Sequence, residues 1–172
     1  TLHTVLLASQ DIGVRHELEN LANTDALTGL FNKRYFESLL NVKDQKKAPY
    51  TLFYMDLNLF KPINDQYGHV MGDKVLVEVA RRLLLCIRSS DHAFRLGGDE
   101  FAVWLDGLNA SNTEFLKERI EGIRGRVLLP DGTLVRATVS AGVTFCTAGE
   151  KYKDVLKRAD AALYKAKHAG KN

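Results

Sequence analysis

Apolar residues recur along the chain with two different periods. Tyr50 to Leu57 reads Tyr-Thr-Leu-Phe-Tyr-Met-Asp-Leu. So nearly continuous an apolar run predicts a central strand covered on both faces. Ala137 to Phe145 predicts a second long strand, rich in small and β-branched residues. Elsewhere the period is helical. From Asp73, the residues Val75, Leu76, Val79, Ala80, Leu83, Leu84 and Ile87 form one apolar stripe that ends near Arg88–Asp91. Asn32 caps a helix of about ten residues with Tyr35, Phe36, Leu39 and Leu40 on one face. Thr113 to Arg124 places Phe115, Leu116, Ile120 and Ile123 inward, and Tyr152 to Lys167 turns Val155, Leu156, Ala159, Ala162, Leu163 and Ala166 inward.

The connecting stretches carry turn chemistry. Gly97-Gly98 separates the short strands His92–Leu96 and Phe101–Leu105, and Pro130-Asp131-Gly132 separates Val127–Leu129 from Leu134-Val135. Lys43 to Pro49 reads as a charged loop, Leu59 to Asp65 as a short helix and Asn64 to His69 as a turn. At the N-terminus, Leu2 to Ala8 suits a strand or the opening of a helix. Asp11 then caps a helix from Gly13 to Ala22, whose thin stripe of Leu18, Leu21 and Ala22 fits a surface helix or one strand of a coiled coil. The order of elements predicts an α+β fold, an α/β sandwich with helices packed on one mixed sheet. The ferredoxin-like βαββαβ arrangement fits it.

Composition narrows the class. A chain of 172 residues accommodates one domain and a short appendage. A net charge of +3 is too small to argue for a nucleic acid polymer or a membrane surface. No apolar run has the length of a membrane span, and no signal peptide is recognisable. Cys86 and Cys146 lie in apolar surroundings without metal-ligand spacing, which suits reduced core residues in a cytosolic fold. The start at Thr1 rather than Met suggests a piece of a longer protein.

The chemistry concentrates around Arg95-Leu96-Gly97-Gly98-Asp99-Glu100-Phe101. Gly97 and Gly98 offer bare backbone N–H groups to a phosphate, and Asp99 and Glu100 offer oxygens to a hard cation. The plain alternative is a surface hairpin with solvated acids. Asp56 changes that balance, because an acid at the end of a buried strand needs a positive partner. Its plain alternative is a cap on the short helix that follows. Neighbouring strands lie about 5 Å apart, so Asp56, Asp99 and Glu100 can converge as a magnesium site. Lys61, Lys167 and Lys171 are available for phosphates, although each could equally be a solvated charge. Asn64 and Asp73 suit a guanine edge, since the acid accepts from two donors that adenine lacks.

These motifs together resemble the GGDEF family of diguanylate cyclases. The resemblance covers Leu21 to Asn172. It rests on Asp25-x-Leu27-Thr28-Gly29-Leu30-x-Asn32, on Asp56 to Asp73, on the Gly-Gly-Asp-Glu-Phe stretch, on Thr138-Val139-Ser140-x-Gly142-Val143, and on Ala159-Asp160 to Asn172. The family implies a nucleotidyl-cyclase-like fold that condenses two GTP into cyclic di-GMP and two pyrophosphates. It also implies a homodimer, because each domain holds one GTP. Its metal ligands, for Mg²⁺ or Mn²⁺, fall on Asp56, the Leu57 carbonyl and Asp99, with Glu100 beside them. Asp99 and Glu100 would assist deprotonation of the ribose 3′-hydroxyl. Substrate contacts fall on Asn64, Asp73 and His69 for the base, and on Lys61, Lys167 and Lys171 for phosphates. Arg88 and Asp91, with Arg119 as a second clamp, match the family's inhibitory site for cyclic di-GMP; the plain alternative is an exposed ion pair. Two positions depart from the pattern: Asn58 replaces an acid, and Lys171 replaces an arginine that would fork onto phosphate.

The expected organisation is a sensor remnant and signalling helix over residues 1–23, then the cyclase domain over 24–172. Leu2 to Ile12 resembles the last strand of a PAS-type sensor, whose body would lie outside this chain. The expected setting is the bacterial cytoplasm, with the full-length protein open to membrane attachment. Two competitors remain: a non-catalytic module that binds GTP or cyclic di-GMP, against which the retained acids argue, and a cyclase of other base specificity, against which Asp73 argues.

Overall fold

The computed structural model describes residues 1–107 and 110–169. At its centre stands β2 (Tyr50–Asn58), antiparallel to β4 (Glu100–Asp106) on one side and to β6 (Leu134–Cys146) on the other. Beyond β4 lies β3 (His92–Gly97), and beyond β6 lies β5 (Arg124–Leu128). A two-residue strand, β1 (Phe31–Asn32), closes the β3 edge in parallel, so the order is β1-β3-β4-β2-β6-β5. The four inner strands carry the expected βαββαβ core.

The pleat of β2 divides the interior in two, because alternate residues face opposite sides. Phe53, Met55 and Leu57 enter a core shared with α3 (Phe60–Tyr67), α4 (His69–Cys86) and α5 (Ala110–Glu121). Tyr50 and Leu52 enter a second core with α2 (Lys33–Lys46) and α6 (Tyr152–Ala169). Both faces of β2 are thus dry over Tyr50–Phe53, and each fully buried large side chain contributes about 1.5–3 kcal/mol. The α6 backbone presses onto β6 at Gly142, where a Cβ would lie 2.2 Å from the Leu163 nitrogen. Only glycine permits that approach.

The first helix, α1 (Leu2–Asn23), buries no residue. It overturns the strand reading of Leu2 to Ala8, and Asp11 is no cap: Thr1 caps the helix and Asp11 lies in its interior. The strand that the sensor resemblance needs at Leu2 to Ile12 is therefore not formed. Other boundaries move as well. Asn32 caps α2 as expected, accepting from the Tyr35 N–H, but the helix continues to Lys46 instead of yielding to a loop at Lys43. The α3–α4 junction is a single residue, Gly68, at φ 88°. Hence α4 begins at His69, and Asp73 lies inside it rather than at its start. Leu59, at φ 60°, opens α3 with no side-chain cap, so Asp56 does not serve as one. Phe115 is 63% exposed, against the expected inward position, while Leu116 and Ile120 are buried.

Candidate active site

Asp56 lies near the C-terminal end of β2, in register with Glu100 on β4 and Ser140 on β6. Its side chain is only 13% exposed. Oδ2 is in contact with Nζ of Lys167, which projects from the last turn of α6. Oδ1 is buried without a hydrogen-bond partner. Burial pushes the Asp56 carboxyl up to about 6, reinforced by the Asp99 carboxylate beside it and opposed by Lys167. Two carboxylates meeting in low dielectric with one unsatisfied oxygen form a place suited to a hard cation.

The signature stretch is the β3–β4 hairpin, with Gly98 at φ 46° and a register shift between Arg95 and Gly97. Two anchors hold its turn. The Leu57 N–H donates to the Asp99 carbonyl at 3.2 Å. From the other side, Arg95 donates through Nε and Nη2 to the Gly98 carbonyl at 3.1 and 3.0 Å. Its Nη1 donates to both oxygens of Asp25 at 3.2 Å. Asp25 also accepts from the Thr28 N–H at 2.9 Å and hydroxyl at 2.7 Å. Burial raises the Asp25 carboxyl, but these donors outweigh it and hold the group below its ordinary range.

The expected meeting of three carboxylates is realised for two. Glu100 sits opposite Asp56 on the backbone with an exposed side chain. Among the described residues no three His, Cys, Asp or Glu side chains gather as a metal cage. The Asp56–Asp99 pair is therefore the nucleus of the candidate site, with Leu57 tied to the same turn. Asn58, the departure from the acidic pattern, is engaged elsewhere: it donates to Thr138 Oγ1 at 3.0 Å and accepts from Ser140 Oγ at 2.9 Å.

On the other face, Asn64 sits on α3, with its Oδ1 buried and unpartnered. Gly72 on α4 makes room for it, since a Cβ there would stand 1.8 Å from that oxygen. Asp73 follows directly and is exposed, as are His69 and Lys61. Lys171 lies outside the described residues.

Arg88 and Asp91 form a turn after α4. Asp91 Oδ2 accepts from the Arg88 backbone N–H at 2.8 Å, and among the described residues no ion pair joins the Arg88 guanidinium to it. The turn borders two cavities of about 440 and 390 Å³, neither lined by Asp56, Asp99 or Glu100. Arg119 lines the larger one together with Arg88, Cys86 and Phe115. It donates to the Leu85 carbonyl at 3.0 Å and lies over the Phe115 ring.

Two contacts escape sequence reasoning. Asp25 and Arg95 flank recognisable motifs, yet nothing in their spacing pairs them across 70 positions. The Lys167–Asp56 contact spans 111.

The fold and the hairpin define a class. The chain matches the family model for "Diguanylate cyclase, GGDEF domain" over residues 22–172, and it belongs to that family. Among relatives, Diguanylate cyclase A of Treponema denticola is 38% identical over 165 residues, covering 91% of this chain and 44% of that protein. Diguanylate cyclase DgcM of Escherichia coli is 37% identical over 163 residues, covering 92% of this chain and 39% of that protein. The chain thus spans less than half the length of these relatives. A crystal structure of the coiled coil and GGDEF domain of DgcB from Caulobacter crescentus with c-di-GMP superposes with a TM-score of 0.79 at 28% identity, over 98% of this chain and 95% of that one. The diguanylate cyclase SiaD of Pseudomonas aeruginosa, solved with its activator SiaC, gives 0.79 at 31% identity, over 98% and 69%.

Proposed function

We propose that this chain condenses two GTP into cyclic di-GMP. In this reaction each ribose 3′-hydroxyl attacks the α-phosphorus of the other nucleotide, and two pyrophosphates leave. The observation that carries the reading is the Asp56–Asp99 pair at the sheet end, with the unpartnered Asp56 Oδ1 between the signature turn and Lys167. That donor set fits a divalent cation, Mg²⁺ or Mn²⁺, held by Asp56, Asp99 and the Leu57 carbonyl, with Glu100 beside them. When bound, such an ion neutralises triphosphate charge and stabilises charge on the attacked phosphoryl group. Asp99 and Glu100 assist deprotonation of the ribose 3′-hydroxyl. Asn64 and Asp73, with His69 near, read the guanine from the α3–α4 side. Gly97 and Gly98 let the phosphates approach the backbone. Lys61, Lys167 and Lys171 supply positive charge to them.

One domain holds one GTP, so the active form is a homodimer. On α1, Leu7, Val14 and Leu21 recur every seven residues with Leu18 between them, all more than half exposed. Such a seam suits a two-stranded coil with a second copy, and residues 1–23 serve as a signalling helix ahead of the domain at 24–172. The cavity at Arg88, Asp91 and Arg119 takes cyclic di-GMP as a feedback inhibitor. No described helix is long and apolar enough to cross a membrane. The decisive experiment is incubation with GTP and Mg²⁺ followed by chromatographic identification of the product. Cyclic di-GMP supports the reading; its absence, with GTP bound and unconverted by a dimeric protein, leaves a binding module.

A further inference from the structure

Lys167 occupies an unexpected position for a phosphate ligand. Its ammonium lies against Oδ2 of Asp56 rather than in open solvent, although it stands on an exposed helix end and is 35% exposed. The reason is electrostatic. The Asp56 side chain is only 13% exposed, and the Asp99 carboxylate lies beside it. Two carboxylates so placed require positive charge close by. Position is not left to the side chain alone, because α6 is pinned to β6 at Gly142, against the Leu163 backbone one turn before Lys167.

We propose that Lys167 holds the place of the divalent cation: it pairs with Asp56 while the site is empty and passes to the substrate's phosphates when the cation loads. This rests on the reading of Asp56 as a cation ligand. A divalent ion on the Asp56–Asp99 pair removes the need for the ammonium and repels it. The displaced lysine then lacks an anion until a triphosphate brings one. Loading the cation without nucleotide is therefore penalised, and so is loading nucleotide without the cation. Lys167 links the two binding events, and the linkage is reciprocal.

The test is a titration with Mn²⁺, followed by the electron paramagnetic resonance of the free ion, at mildly alkaline pH where Asp56 is ionised. It compares wild type with Lys167→Met and Lys167→Gln, with and without a GTP analogue bridged by α,β-methylene. Without nucleotide, both variants are expected to bind Mn²⁺ about tenfold more tightly than wild type, in the usual range of coupling between sites. Adding the analogue tightens Mn²⁺ binding in wild type, and much less in the variants. A gain in affinity is a result that mere damage to α6 does not produce. Adding Asp56→Asn to Lys167→Met should abolish the gain. If Mn²⁺ binds wild type with the analogue but the variants gain nothing without it, the place-holding role is wrong while the cation site stands. If Mn²⁺ binds none of these proteins with or without the analogue, the cation reading of Asp56 fails and the inference falls with it.

Discussion

Replacing Gly142 with alanine tests the coupling of fold and site directly. A Cβ at that position would lie 2.2 Å from the Leu163 nitrogen, 2.6 Å from the Ala162 carbonyl carbon and 2.8 Å from the Leu163 Cα. Comfortable contact requires about 3.5–4.0 Å. All three atoms belong to backbone, so no rotamer change relieves the clash, and α6 must retreat by an ångström or more. Overpacking of this kind costs about 1–3 kcal/mol and occasionally more. The upper end is expected here, because Val155 and Ala159 on α6 are fully buried and must move with it. For a domain of this size about 3 kcal/mol lowers the melting temperature by roughly 6–12 °C. Lys167 travels with the helix and leaves Asp56, so turnover should fall more than the melting point alone explains at a temperature where the variant is fully folded. Gly13→Ala on α1 is the control: a Cβ added there would meet nothing within 4 Å, and an exposed helix gains up to about 1 kcal/mol from the exchange. Scanning calorimetry and initial rates with GTP read both effects. A Gly142→Ala protein that melts within about 2 °C of wild type and turns over normally would refute the argument that α6 is seated by backbone contact.

Three further outcomes follow from the site. Asp73→Ser should relax discrimination against ATP by at least about tenfold, since a site that hydrogen-bonds its substrate rejects analogues lacking those groups; competition kinetics with ATP that match wild type would place the base contact elsewhere. Arg88→Ala should abolish calorimetric binding of cyclic di-GMP at the cavity and confer resistance to product inhibition, and equal inhibition of both proteins would remove that assignment. Asp25→Asn should cost about 1–2 kcal/mol at neutral pH and loosen the signature turn. Because the folded carboxyl titrates below its ordinary value of 3.8, this stabilisation is complete above that value and lost as pH falls through the lowered one. Denaturant midpoints should therefore converge in acid, and a gap that widens there would contradict the sign.

The legible parts of the fold are those whose burial writes a pattern. The β2 run is apolar on both faces because both faces are covered, and the α4 stripe is regular because one side packs on the sheet. The Gly-Gly hairpin is readable from its turn alone. By contrast, α1 buries no residue, so only a thin stripe marks it out, and its β-branched and leucine-rich opening reads equally as a strand. The two residues of β1 carry no periodicity; their strand exists through pairing with Phe94 and Arg95 on one side and a bridge from Phe31 to Thr24 on the other. Lys43 to Lys46 is charged, and the helix that contains it is held by its earlier turns at Phe36 and Leu40. At the site, the acids are visible as out-of-place charges, whereas the tether from Asp25 through Arg95 to Gly98 requires the sheet to be assembled first.

The division of the interior by β2 has a consequence for how such a protein changes over generations. On the proposed assignment, the base is read from α3 and α4, seated in one core, while Lys167 reaches the phosphates from α6, seated in the other. The sheet between them is the shared part, and substitutions without shared partners tend to combine additively. A lineage can therefore repack the layer that chooses the nucleobase, Lys61 apart, while the layer that carries Lys167 stays intact. New specificities are then reachable by single steps, each taken on a working enzyme.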